Sequence, residues 1–174
     1  MLKQYLEIGQ IVGTHGIKGE VRLNPWCDSP EFVKRFKTLY FDSEGRNGVK
    51  IISCRPHGNV VILKLENTDT VESASALRNK ILFMNRDDSG LGDGDWFVQD
   101  LIGCSVVDSD DENKAYGTLT DVTAGAGAND IWSVTDSDNR EYLLPAIKDV
   151  VKDVDVKNGI IKISPMRGIF DDAD

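Results

Sequence analysis

From residue 1 to about 86, apolar positions fall in short runs rich in β-branched and aromatic residues, each bounded by turn formers. EIGQIVG, EVRLNPW, TLYFD, VKIISCR, NVVILKLE and KILFMN are the six strands this pattern predicts. Two short helices interrupt them. In DSPEFVKRF, Ser29 is placed to cap, Pro30 suits the first helical position and Glu31 favours the positive helix start. In NTDTVESASALRNK, Asp69 and Glu72 have capping-box spacing, and Val71, Ala74 and Leu77 give a narrow apolar stripe. Six strands with two small helices predict a closed β-barrel, which leaves no sheet edge exposed.

The pattern recurs in the second half with different spacing. LIGCSVVDS, YGTLTDVTA, DIWSVTD, REYLLPA and GIIKISP predict five strands joined by the polar turns DSDDENK and DSDN. PAIKDVVKDVDVKNG, between the last two, is expected to hold one helical turn at most, and the tail MRGIFDDAD to fray at its end. The fold class is therefore mainly β, with two small β-barrels. Between them NRDDSGLGDGD, rich in Gly and Asp, predicts an exposed linker. The expected boundaries are an N-terminal barrel over 1–86, a linker over 87–95 and a C-terminal barrel over 96–174.

Charge supports the same division. The chain of 174 residues carries a net −9, but residues 1–86 have 13 Lys and Arg against 9 Asp and Glu, a net +4. Residues 87–174 have 7 against 20, a net −13. The first half is suited to nucleic acid, whereas the second would be repelled by phosphate and suits a protein partner. Forty per cent hydrophobic with 28% charged residues is the balance of a soluble globular protein. No apolar run approaches the ~20 residues of a membrane-spanning helix, and MLKQYLEIGQ lacks the apolar core of a signal peptide. The expected location is cytoplasmic, with no membrane association. Cys27, Cys54 and Cys104 are odd in number and widely spaced, which predicts free thiols.

Candidate chemistry starts at IVGTHGIKGEVR, where Gly13, Gly16 and Gly19 recur every third residue around His15 and Lys18. The spacing misses the P-loop, and a strand, not a helix, follows, so no helix start is aimed at an anion. The glycines are expected to build a tight turn between strands. His15 and Lys18 are then displayed at its tip, either solvated or against RNA phosphate. His57, in RPHGN, is placed in a strand-connecting turn. With two histidines in the chain, no multi-histidine metal site and no indicated nucleophile–base pair exist. DSDDENKAYGTL, from Asp108, lacks the glycine and closing glutamate of a calcium loop and is expected to be a hairpin turn. No catalytic residue, metal or cofactor is expected. Trp96 and Phe97, in DWFVQDLIG, would point to opposite faces of a strand, so that one ring fills the interior while the other faces out; the alternative packs both inside. An exposed aromatic there would anchor a protein partner.

IGQIVGTHGIKGEVRL resembles the N-terminal signature of the RimM family of ribosome maturation factors, and the likeness continues through the chain in the family's order. DTVESASALRNKILFM resembles the end of the family's first domain and DWFVQDLIGCSVVD its domain junction. YGTLTDVTAGAGANDIWSV and REYLLPAIKDVVKDVDVKNGIIKIS resemble its C-terminal barrel. The resemblance implies a translation-factor-like N-terminal barrel and a C-terminal barrel of the type shared with photosynthetic reaction-centre subunits (PRC). It also implies a monomeric, non-enzymatic assembly chaperone. Such a factor binds the immature small ribosomal subunit near its head, associates with small-subunit ribosomal protein nineteen and promotes rRNA processing. The family's aromatic pair before D-L-I-G maps onto Trp96 and Phe97, where tyrosines are familiar. Trp–Phe keeps the apolar area but exchanges two phenolic hydroxyls for one indole donor. His15, Lys18 and Arg22, near the glycine loop, are the candidate rRNA contacts. A nucleotide-dependent enzyme and a general RNA-binding barrel are the rival readings.

Overall fold

The computed structural model describes residues 2–27, 29–92, 94–127 and 129–170. The chain is mainly β and divides into two compact units, the first being Lys3–Gly92.

In the first unit, β1 (Tyr5–His15), β2 (Glu20–Pro25), β3 (Thr38–Tyr40), β4 (Gly48–His57), β5 (Val60–Leu65) and β6 (Ile81–Asn85) close into a barrel in the order β1-β2-β5-β4-β3-β6. The six strands match the six apolar runs. Alternation drives closure: on β2, Val21 and Leu23 are fully buried while Arg22 and Asn24 face out. Strand β1 pairs with β6 through its first half and β2 through its second, and irregularities at Glu7/Gly9 and Ile11/Gly13 let it bend between them.

The helices differ in detail from expectation. Pro30–Arg35 is a 3-10 helix that buries Val33, and Ser29 makes no side-chain cap bond. Helix α1 (Val71–Ser75) is capped by Thr70, whose hydroxyl accepts from Ser73 N while Ser73 Oγ accepts from Thr70 N. The capping box is thus Thr70/Ser73, not Asp69/Glu72. The Asp69 carboxylate is already taken by Lys64 Nζ at 2.9 Å. The start of the expected linker is also ordered. Arg86–Asp88 forms a 3-10 turn capped by Asn85, and the turn leads to Ser89, which is buried and whose carbonyl accepts from Arg35 Nη1 at 3.0 Å. Polar groups, not apolar ones, hold this stretch, so its hydropathy gave no sign of order.

In the second unit, β7 (Ser105–Asp108), β8 (Ala115–Thr123), β9 (Ile131–Thr135), β10 (Glu141–Pro145), β11 (Val151–Asp155) and β12 (Ile160–Ile163) form one sheet in the order β10-β9-β8-β7-β12-β11. Strand β12 joins β7 in parallel and the other pairings are antiparallel. Val106, Leu119, Trp132, Val134, Leu144 and Ile161 form the centre of its core. Six strands stand where five were expected. Strand β11 lies in the segment assigned at most a helical turn, and its Lys and Asp positions masked Val151 and Val154, which pack against the core. Near the C-terminus, Phe170 lies between Tyr116 and Tyr142, with ring centroids 4.4 and 4.7 Å away. The end expected to fray, 171–174, lies outside the described residues.

Candidate functional site

The glycine stretch is the connection of the β1–β2 hairpin. His15 pairs with Glu20, Thr14 with Val21 and Gly13 with Arg22, leaving residues 16–19 as the turn. Gly16 (φ +62°) and Gly19 (φ +82°) occupy the left-handed region that only glycine enters freely. Gly19 is also pressed against the chain at Thr68, whose carbonyl oxygen a Cβ would strike. Ile17 and Lys18 form the exposed tip, whereas His15, expected there, is half-buried at the end of β1 and Gly13, expected in the turn, is paired within β1.

A lysine rivets this turn to its neighbour. Lys64, on β5, donates from Nζ to the Lys18 carbonyl at 2.7 Å, to the Thr68 carbonyl and to Asp69 Oδ1 at 2.9 Å. Its three protons are thus matched to three acceptors, and the hairpin turn is tied to the segment that precedes α1. Sequence reasoning missed Lys64, because its partners lie up to 46 residues away.

Register places the expected residues on one outward surface with two more. Gly13, Arg22, Ile62 and Arg55 occupy one cross-strand level over β1, β2, β5 and β4. Arg22 and Arg55 are exposed. Arg55 Nη1 donates to Glu20 Oε2 at 2.6 Å. That hydrogen bond holds the Glu20 carboxyl below the ordinary carboxylate value against the opposing effect of burial, and the charges of Arg55, His15 and Lys64 add to it. The rings of His15 and His57 lie 6.1 Å apart, tilted by 53°. His57 is therefore not in the turn where it was expected. It ends β4, and the turn is left to Gly58 and Asn59. His15, Lys18 and Arg22 are thus gathered on one hairpin, joined by Arg55 and His57 from β4. The surface offers guanidinium, ammonium and imidazole donors, the groups that contact nucleic-acid phosphates.

Trp96 and Phe97 belong to the second unit and do not lie in a strand. Phe97 stands in extended conformation (φ −78°, ψ 134°) at the start of helix α2 (Val98–Leu101). Leu101 points into the core at 4% exposure, and Gly103 N and Cys104 O bond Leu119, tying the segment to β8. Three apolar side chains of this segment remain open. Trp96 is 38% exposed, Val98 41% and Ile102 40%. Val98 and Ile102 are four residues apart and so lie on one side of the helical turn. Phe97 is half-buried. Val98 and Ile102 were not singled out from the sequence.

Among the described residues, no group of three His, Cys, Asp or Glu is placed to hold a metal ion. The DSDDENK turn joins β7 to β8, and Asp108 accepts from Tyr116 Oη and Asp110 N within it. Cys104 is buried, Cys27 and Cys54 are half-buried, and all three are free thiols. Burial raises the pKa of Cys54 and Cys104, which opposes use as a thiolate.

Comparison with known proteins divides the chain in a similar way. A family model described as the RimM N-terminal domain matches residues 6–89, and one described as the RimM PRC barrel domain matches 98–169. The ribosome maturation factor RimM of Clostridium botulinum (strain Langeland) is 39% identical over 167 residues, covering 95% of this chain and 97% of the relative. That of Acetivibrio thermocellus is 38% identical over 173 residues, covering 97% and 98%. A solved structure of a 16S ribosomal RNA processing protein RimM from Pseudomonas aeruginosa is 27% identical, covers 93% of this chain and 98% of its own, and has a TM-score of 0.45.

Proposed function

This chain belongs to the RimM family of ribosome maturation factors, and we propose that it assists maturation of the small ribosomal subunit by binding, without catalysis. In this reading the first barrel lies against small-subunit rRNA through His15, Lys18 and Arg22, with Arg55 and His57 beside them. The second unit holds a ribosomal protein. The observation that carries the reading is the exposure of three apolar side chains, Trp96, Val98 and Ile102, at the start of a strongly acidic domain.

Large apolar groups left open on a protein surface gain by being covered, and a tryptophan among them is a typical interface anchor. Carboxylates around such an anchor select a basic partner and speed its encounter. Small-subunit ribosomal protein nineteen is the partner, and the head of the immature subunit the place, that the family resemblance assigns. Half-buried Phe97 would support the Trp96 ring. The factor would work as a cytoplasmic monomer with no cofactor, holding protein and RNA together while the subunit matures.

The test is sedimentation of the purified chain with small subunits from cells that lack it. It should travel with immature subunits and not with mature ones. Equal association with both, or with neither, would contradict the proposal.

A further inference from the structure

We propose that Ile17 is the base-contacting tip of the RNA surface, placed against nucleobases while the surrounding cations hold phosphates. The inference rests on the reading of this barrel face as RNA-binding and adds to it the residue that meets the bases.

Ile17 is 82% exposed, the most open of the large hydrophobic residues described. Its position does not come from a loose loop. Gly16 and Gly19 set the turn, Gly19 packs on Thr68, and Lys64 ties the Lys18 carbonyl to Thr68 and Asp69. A branched alkyl group is thus held out at a fixed point, with no cover from its own domain. Its surroundings indicate what covers it. Lys18 is next in the chain, Arg22 lies on β2 of the same hairpin, Arg55 reaches Glu20 from β4 across β5, and the rings of His15 and His57 lie 6.1 Å apart. Two carboxylates lie near them, and each is paired: Glu20 with Arg55 and Asp69 with Lys64. A basic protein would be repelled by this face, whereas RNA supplies both anions for the cations and apolar base faces for the isoleucine. Apolar side chains wedge between base steps in the DNA minor groove, and unpaired RNA loops offer such base faces uncovered.

The test uses the full-length chain, an in vitro transcript of small-subunit rRNA, and inorganic polyphosphate as a polyanion without bases. Affinity is measured over a range of salt concentrations. Ile17→Ala should bind the transcript about tenfold more weakly, the loss expected for about half to all of one aliphatic side chain's burial. Its salt dependence, its polyphosphate affinity and its melting temperature should be those of the parent. Arg22→Ala should weaken both ligands and lower the slope of log affinity against log salt by about one. If Ile17→Ala binds the transcript as the parent does while Arg22→Ala is impaired, the tip inference is overturned and the RNA surface stands. If Ile17→Ala loses polyphosphate binding equally, the residue acts by placing the cations, and the inference is again overturned. If Arg22→Ala also binds RNA normally, the RNA reading of this face falls and takes the inference with it.

Discussion

Arg55 on β4 and Glu20 on β2 join two strands that do not pair, with Nη1 and Oε2 2.6 Å apart across the intervening β5. Beneath them Ile62 is fully buried although its register partners, Arg22 and Arg55, face outward.

The bridge has a pH signature. Because the Glu20 pKa is lowered in the folded state, chiefly by the Arg55 hydrogen bond, its contribution is present above the ordinary carboxylate pKa. It is lost as pH falls through the lowered value. Glu20→Gln should cost about 1 kcal/mol or less at pH 7, the scale of a surface pair. Denaturant midpoints of parent and variant should converge as the pH falls below about 4. A gap that persists or widens in acid would show that the charge is not what matters.

Lys64 should matter more. Lys64→Met leaves the buried Thr68 and the Lys18 carbonyl without their donor and frees the turn. The expected loss is about 2 kcal/mol of stability, in the range for hydrogen bonds from charged groups. Amide exchange should quicken at residues 16–20 and 68–70 beyond the rest of the barrel. Uniform quickening would mean that Lys64 supports the barrel as a whole and not the loop.

The cap assignment is directly testable. Thr70→Ala should cost about 1 kcal/mol, because Ser73 N loses its acceptor. Asp69→Ala should leave the helix end intact and loosen only the Lys64 contact. Chemical-shift changes confined to α1 in the first variant, and to residues 18 and 64 in the second, are the expected readout.

Phe170 closes the second unit by filling the space between two tyrosines whose hydroxyls are held by Asp108 and Asp136. Phe170→Ala should destabilise that unit by about 2 kcal/mol, since aromatic contacts and burial are both lost. Calorimetry should show a lowered transition for this unit alone.

The strand count of the first barrel was legible because each strand is a separate apolar run, bounded by Gly, Pro, Asn or Asp. Strand β11 was not. Its Lys152, Asp153 and Asp155 interrupt the valines, and only pairing with β12 makes it a strand. Order after Arg86 was hidden for the same reason, since Ser89 is held by hydrogen bonds that no hydropathy pattern reports. At the candidate site, the hairpin turn followed from the spacing of Gly16 and Gly19, but its tip did not: Ile17 stands there with Lys18, whereas His15 and Gly13 belong to β1. The contributions of Arg55, His57 and Lys64 did not follow either, because cross-strand register, invisible in one sequence, decides which distant side chains become neighbours. Trp96 and Phe97 were conspicuous by type. Their placement at a helix start, and the exposure of Val98 and Ile102 in the same segment, needed the fold.

The proposed grip of the second unit on a basic ribosomal protein rests on the exposed apolar side chains around Trp96. The most direct test is a titration of the doubly substituted Trp96→Ala/Phe97→Ala chain with purified small-subunit ribosomal protein nineteen, after its fold is verified by circular dichroism and melting. The expected loss is about 2 kcal/mol, roughly thirtyfold in affinity. An affinity within twofold of the parent, in a variant that is correctly folded, would contradict it.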